Sequence, residues 1–122
     1  MWPSLLIIGI GGATGSILRW LISSVATTPA GTFIANMIGC LLAGIAISLI
    51  DKSQHPLLAQ GIMIGFIGGL TTFSTLSVET TTLIQSGRFL YALTYISISI
   101  IAGISLVMIG SWVVGMLEMS LK

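Results

Sequence analysis

Charged residues are scarce in this chain. Its 122 residues include only three acids and four bases, and 55% of the chain is hydrophobic. A soluble domain usually carries charge on about a quarter of its residues, so these few cannot cover a water-exposed surface. The composition therefore indicates a protein whose solvent is lipid, with no separate soluble ligand-binding module. A net charge of +1 also gives no basis for binding nucleic acid.

Residues for covalent or metal chemistry are also few. The single cysteine, Cys40, has no partner for an internal disulfide, and the single histidine, His55, lies in a polar loop. No two acids are placed to share one pocket, so we expect no catalytic residues and no enzyme. The start, Met1-Trp2-Pro3, lacks the basic region and cleavage site of a signal peptide. We therefore expect the first apolar run to be retained.

Long apolar runs fill the rest of the chain. They cover approximately residues 4–26, 31–50, 57–86 and 89–117, separated by short turns and by the polar stretch 51–56. A helix needs about 20 apolar residues to cross a bilayer. The sequence therefore predicts an all-α membrane protein with a single domain, residues 1–122, of four transmembrane helices.

The third run is too long for one straight span. Its 30 residues would reach about 45 Å at a rise of about 1.5 Å per residue. Its middle, residues 68–75, reads GGLTTFST, glycine-rich and then hydroxyl-rich. Non-helical backbone at membrane depth is tolerated only inside protein or beside a polar cavity. We therefore predict a broken helix near 68–75, and we place the candidate functional site there.

The cations give no preferred orientation in the membrane. With four spans, Lys52 and Lys122 lie on one side, and Arg19 and Arg88 serve the other. Because basic residues set orientation, a balance of two against two predicts insertion both ways and an antiparallel pair of subunits. Glycines spaced by four residues let helix backbones approach closely, and tight helix packing is their ordinary interpretation: Gly11, Gly15, Gly61, Gly65 and Gly69. We expect glycine-rich helices at the interface of that pair.

Neutral polar side chains recur at helical spacing in several runs. Thr32 and Asn36 share one helix face, as do Tyr95 and Ser99. A single Ser or Thr in a span usually bonds back to its own helix, but a row of such donors could replace the water shell of a small ion. Two further groups favour an anion, the Arg19 cation and the electropositive ring edge of Phe73. The pattern indicates a path for a small, hydrogen-bonding anion. Glu79 fits either an interfacial helix anchor or a functional group inside the membrane.

Three motifs resemble the Fluc (CrcB-type) fluoride channels over the whole chain. They are GGxxGxxxRW from Gly11 to Trp20, GTxxxNxxG from Gly31 to Gly39, and GFxGGxTTFST from Gly65 to Thr75. The resemblance implies a dual-topology, antiparallel dimer in the cell inner (plasma) membrane, multi-pass and of prokaryotic type. It also implies passive export of fluoride that relieves fluoride toxicity.

The resemblance further implies a structural sodium ion at the dimer interface, held by the backbone carbonyls of Gly68 and Thr71. Carbonyl oxygens are hard ligands that suit a hard cation. Together with the residue pattern above, the resemblance gives this predicted fluoride path: Arg19, Thr32, Asn36, Phe73, Ser74, Thr75, Tyr95 and Ser99.

One position departs from the family motif. Fluc channels usually read TTFSTF, and the second phenylalanine is Leu76 here. With Leu76 at this position, two questions stay open: whether the path has the full aromatic lining, and whether the chain forms a homodimer or a heterodimer with a paralogue. It also leaves an alternative function, a non-conducting partner subunit. A further alternative is a small multidrug-type proton-coupled exporter, but that family needs a carboxylate in its first span and residues 4–26 contain none.

Overall fold

The fold is a bundle of helices, seen in a computed structural model that describes residues 1–51 and 53–121. Four helical stretches of 24, 20, 30 and 32 residues are long and apolar enough to cross a membrane. The predicted all-α membrane fold is thus confirmed. The first two are Trp2–Val25 (α1) and Ala30–Leu49 (α2). The predicted charge balance rests partly on Lys52 and Lys122, which lie outside the described residues.

The third span is interrupted twice, first by a π-helical segment and then by two extended residues. It begins as a short helix at Pro56–Ala59 (α3). Proline suits this first turn because an N–H group there would have no acceptor within the helix. It continues through eight residues of π-helix, Gln60–Ile67, which we call the π segment, and one α-turn, Gly68–Leu70 (α4). After two extended residues it resumes as Phe73–Gln85 (α5). This second interruption, at residues 71–72, falls within the predicted break.

A tight turn joins α5 to the last helix, Phe89–Ser120 (α6). Gly87 has a φ of 77°, a left-handed conformation that glycine adopts without steric cost. The turn closes with two backbone bonds, from Gly87 N–H to Ile84 and from Arg88 N–H to Leu83. Chain reversal at this glycine lays α5 antiparallel to α6.

The first half of the third span packs directly on α1. A Cβ atom added at Gly11 would overlap the carbonyl oxygen of Gly61, and one added at Gly15 would overlap that of Phe66. From the other side, added Cβ atoms at Gly65 and Gly69 would lie 2.8 Å from the Ile8 oxygen and 2.5 Å from the Gly12 oxygen. The predicted tight packing of these glycines is therefore confirmed, between helices of one chain.

The second helix packs along α6 in a similar way. A Cβ atom added at Gly44 would overlap the Val107 carbonyl oxygen, and one at Gly110 would lie 2.6 Å from the Leu41 oxygen. Ser48 and Ser111 share a hydrogen bond of 2.7 Å across the same interface. This interface fixes α6 beside α2, so that polar groups on both helices face α5.

Candidate functional site

The break in the third span is held open by an asparagine from α2. Thr71 and Thr72 are both extended, with φ/ψ of −87°/153° and −151°/114°. The Thr72 N–H donates to Asn36 Oδ1 at 2.7 Å, and Asn36 Nδ2 donates back to the Thr72 carbonyl at 3.2 Å. In a continuous α-helix that N–H would bond the carbonyl of Gly68. Asn36 therefore satisfies the Thr72 peptide in place of the helix, and it deprives Gly68 of its helical partner.

Hydroxyl groups cluster where the chain becomes helical again. Thr72 caps α5, and its Oγ1 accepts from the Thr75 N–H at 3.2 Å. The same oxygen lies 3.1 Å from Ser74 Oγ and 3.0 Å from Thr75 Oγ1. A helix N-terminus carries a partial positive charge and N–H groups without helical acceptors. The cluster thus combines hydroxyl donors with the positive end of a 13-residue helix, an environment that favours an anion.

A groove runs from this cluster along α2 and α6. It encloses about 410 Å³, and its walls include Asn36, Thr72, Phe73, Leu76 and Ser99. Phe73, at the edge of the groove, is 72% exposed, whereas Leu76, at the floor of the groove, is only 4% exposed. Most of its lining residues are apolar; Phe73 is the aromatic one, and Thr71, Thr72 and Ser99 are the ones that carry hydroxyl groups.

Leu76 belongs to the hydrophobic core beneath the groove. It packs with Leu83, Ala92 and Tyr95, against which the partly buried Phe33 also lies. This placement gives Leu76 a packing role between α5 and α6 whatever it contributes to the groove. The sequence pattern did not separate those two roles.

Glu79 links three helices near the end of the groove. Its Oε1 accepts from Thr32 Oγ1 on α2 at 2.8 Å, and its Oε2 accepts from the Tyr95 hydroxyl on α6 at 2.7 Å. Both donor side chains are buried. Glu79 itself is partly exposed, and both of its carboxylate oxygens have hydrogen-bond partners on neighbouring helices.

Sequence reasoning missed this Thr32–Glu79–Tyr95 cluster as a unit. A signal was present, because each member lies four residues from another polar group: Thr32 from Asn36, Tyr95 from Ser99, and Glu79 from Thr75. Residues four apart share one helix face. The three helices therefore each carry a polar pair on one face, and α5 brings those faces together.

Arg19 lies on the opposite side of the break. Its Nη1 donates to the Thr71 carbonyl at 3.4 Å, and on the same helix Ser16 Oγ lies 3.5 Å from the Gly69 carbonyl. The groove walls come from α2, the third span and α6, not from α1. The structure thus places Asn36, Phe73 and Ser99 in the groove walls. Ser74 and Thr75 lie on Thr72 at the start of α5, and Thr32 and Tyr95 lie on Glu79. Arg19 is set apart from all seven.

The two carbonyls predicted to hold sodium lie at the same break. Gly68 is exposed, and its carbonyl has lost the Thr72 N–H. The Thr71 carbonyl has the long bond from Arg19 as its side-chain contact. Among the described residues no group of three His, Cys, Asp or Glu side chains could hold a metal ion. Backbone oxygens are therefore the donors that this site offers, and they fit a hard monovalent cation.

Four spans, a polar break at membrane depth and a hydroxyl cluster beside an open groove define a small membrane protein with a polar site within its bundle. Residues 6–111 match the family described as CrcB-like protein, camphor resistance (CrcB). The chain belongs to this family, and it is a multi-pass protein of the inner membrane.

Several named relatives are similar over most of the chain. It is 43% identical over 117 residues to the fluoride-specific ion channel FluC of Pseudomonas syringae pv. maculicola, covering 90% of this chain and 92% of the relative. It is 45% identical over 100 residues to FluC of Serratia proteamaculans, covering 76% and 79%. It is 44% identical over 112 residues to FluC 2 of Staphylococcus saprophyticus, covering 86% and 91%.

Proposed function

We propose that this chain is the subunit of a fluoride-selective channel that lets fluoride leave the cytoplasm passively and so relieves fluoride toxicity. The observation that carries the proposal is the break, where three hydroxyl groups gather at the N-terminus of α5 beside an open groove. The relatives named as fluoride-specific channels support the identity of the ion.

The hydroxyl cluster at the start of α5 supplies donors without fixed charge beside the groove. A fluoride ion that leaves water must exchange its hydration for hydrogen bonds, and Ser74 and Thr75 offer hydroxyl groups for this purpose. The exposed Phe73 ring adds an electropositive edge. Asn36 already holds the Thr72 peptide, so its contribution is to position these groups.

We further propose that two copies pair antiparallel and that the pair holds a sodium ion. An open groove and an exposed phenylalanine leave the path incomplete on one subunit. A second copy would cover the groove and would bring its own pair of Gly68 and Thr71 carbonyls to the first pair. When bound, the ion would supply a fixed positive charge that draws the two broken helices together.

Liposome flux of the purified chain tests the channel proposal. Vesicles that contain only this chain should release fluoride far faster than chloride, with ion-selective electrodes as the measurement. His55→Ala, in the loop outside the spans, should behave like wild type. Equal release of both ions would contradict the proposal.

A partner-subunit function is the second candidate, and Leu76 in place of the family's phenylalanine is the observation that favours it. Relatives named FluC 1 and FluC 2 are consistent with paralogous subunits. If vesicles with this chain alone release no fluoride, and co-reconstitution with a paralogue restores release, the heterodimer is the functional form.

A further inference from the structure

Arg19 is a cation without a charged partner in the described part of the chain. It lies in α1, the first membrane span, and is partly buried. No carboxylate of residues 1–51 or 53–121 lies within 4.0 Å of its guanidinium group. Charged groups inside a membrane are rare and usually pair with another charge or with backbone carbonyls. The acceptor found here is the carbonyl oxygen of Thr71, at 3.4 Å.

The two peptides of the break turn in opposite directions. The Thr72 carbonyl accepts from Asn36 on α2, at the groove, whereas the Thr71 carbonyl accepts from Arg19 on α1. The Thr71 oxygen therefore faces away from the proposed anion path. Asn36 also frees the Gly68 carbonyl, one turn earlier, by taking the Thr72 N–H. The oxygen beside Arg19 is thus one of the two proposed to hold sodium.

We infer that Arg19 shares the Thr71 carbonyl with the proposed sodium ion and thereby weakens sodium binding. The inference rests on the sodium site proposed above. The bond from Arg19 is long for an N–H···O hydrogen bond, so the second lone pair of the oxygen is available to a metal ion. Two cations on one oxygen repel each other, and the guanidinium group cannot lose its proton to avoid this.

Whether sodium binding becomes tighter or weaker without Arg19 shows whether this residue competes with sodium or only supports the backbone. If Arg19 only held Thr71 in place, its removal would disorder the carbonyl and weaken sodium binding. If Arg19 competes for the carbonyl, neutral substitutions at residue 19 tighten sodium binding. Screened repulsion between two unit charges that share one oxygen corresponds to about a tenfold change in the binding constant.

Sodium-dependent thermal stability of the purified protein measures this effect without relying on flux. The unfolding temperature is followed as NaCl replaces choline chloride at constant ionic strength, and the sodium concentration for half-maximal stabilisation is compared. Arg19→Gln and Arg19→Met should each lower that concentration about tenfold. Arg88→Gln removes the same charge from the start of α6, where Arg88 lies 4.6 Å from the Tyr91 ring, and should leave it unchanged.

The outcomes distinguish this inference from the sodium proposal. A wild-type protein that shows no stabilisation specific to sodium would overturn both. Sodium-dependent wild type with equal or weaker binding in the neutral variants would overturn the competition alone. Failure of both neutral variants to fold in saturating NaCl would do the same, because tighter binding should stabilise them.

Discussion

The first half of the third span, residues 56–70, meets α1 through backbone against backbone, whereas α5 meets α2 and α6 through polar side chains. Glycines bring the two backbones together at the first contact, so its stability depends on close fit. The second contact adds hydroxyl groups and a carboxylate to the apolar core around Leu76, so its stability also depends on satisfied hydrogen bonds. One span therefore joins a rigid half to a half that offers donors, and the break lies between them.

A larger side chain should have its greatest effect at the contact between α1 and the first half of the third span. Gly15→Ala places a Cβ atom on the Phe66 carbonyl, which belongs to the backbone and cannot rotate away. We expect a loss of at least about 3 kcal/mol, the upper end for overpacking, seen as a lower unfolding temperature or loss of folded protein. Gly9→Ala on the same helix meets nothing within 4 Å and should fold normally. Equal stability of the two variants would refute the close fit.

Removal of a hydrogen-bond acceptor should have its greatest effect at the contact of α5 with α2 and α6. Glu79→Ala removes the partner of two buried hydroxyl groups, those of Thr32 and Tyr95. We expect a loss of about 2 kcal/mol, typical of a broken hydrogen bond to a charged group, measured by thermal unfolding. Glu118→Ala, on an exposed part of α6, is the matched control and should change stability little. A silent Glu79→Ala would show that this contact is held by other forces.

Flux should depend on the aromatic ring at the groove. Phe73→Ile keeps apolar bulk but removes the ring edge, so fluoride flux should fall about tenfold or more while the protein stays folded. Phe89→Ile, also exposed but at the start of α6, should conduct as wild type does. Normal flux through the Phe73 variant would remove this residue from the path.

The smallest effect is expected at Leu76. Leu76→Phe should raise fluoride flux per folded protein by less than tenfold, because a ring edge contributes on the order of 1 kcal/mol. The larger ring must also enter a packed core, which should lower stability by about 1 kcal/mol. Leu93→Phe, about half exposed on α6, should change neither quantity. A Leu76→Phe protein with unchanged flux and stability would show that the site has spare room.

Local pattern was sufficient for the four helices and for the position of the break. Apolar runs and a glycine–hydroxyl cluster are properties of neighbouring residues, and membrane thickness converts their length into spans. The partners of Asn36 and Glu79 could not be predicted in that way. Their bonds join residues 16 to 47 positions apart, and they depend on how α2 and α6 pack around α5. The contact of Arg19 with the Thr71 carbonyl was hidden for the same reason, since sequence does not show which side of the break Arg19 faces.

The π segment has a consequence for changes in chain length. Its wider turns hold more residues per turn than an α-helix, and they place Gly61 and Gly65 against α1 just before the break. Loss of one residue between 60 and 67 can therefore be absorbed where the wide turns tighten into α-helix. The same deletion in α1 has no such reserve, because it would rotate Gly15 away from Phe66 and turn a side chain into the contact. We therefore expect the third span to tolerate the loss of one residue at a place where its neighbour does not.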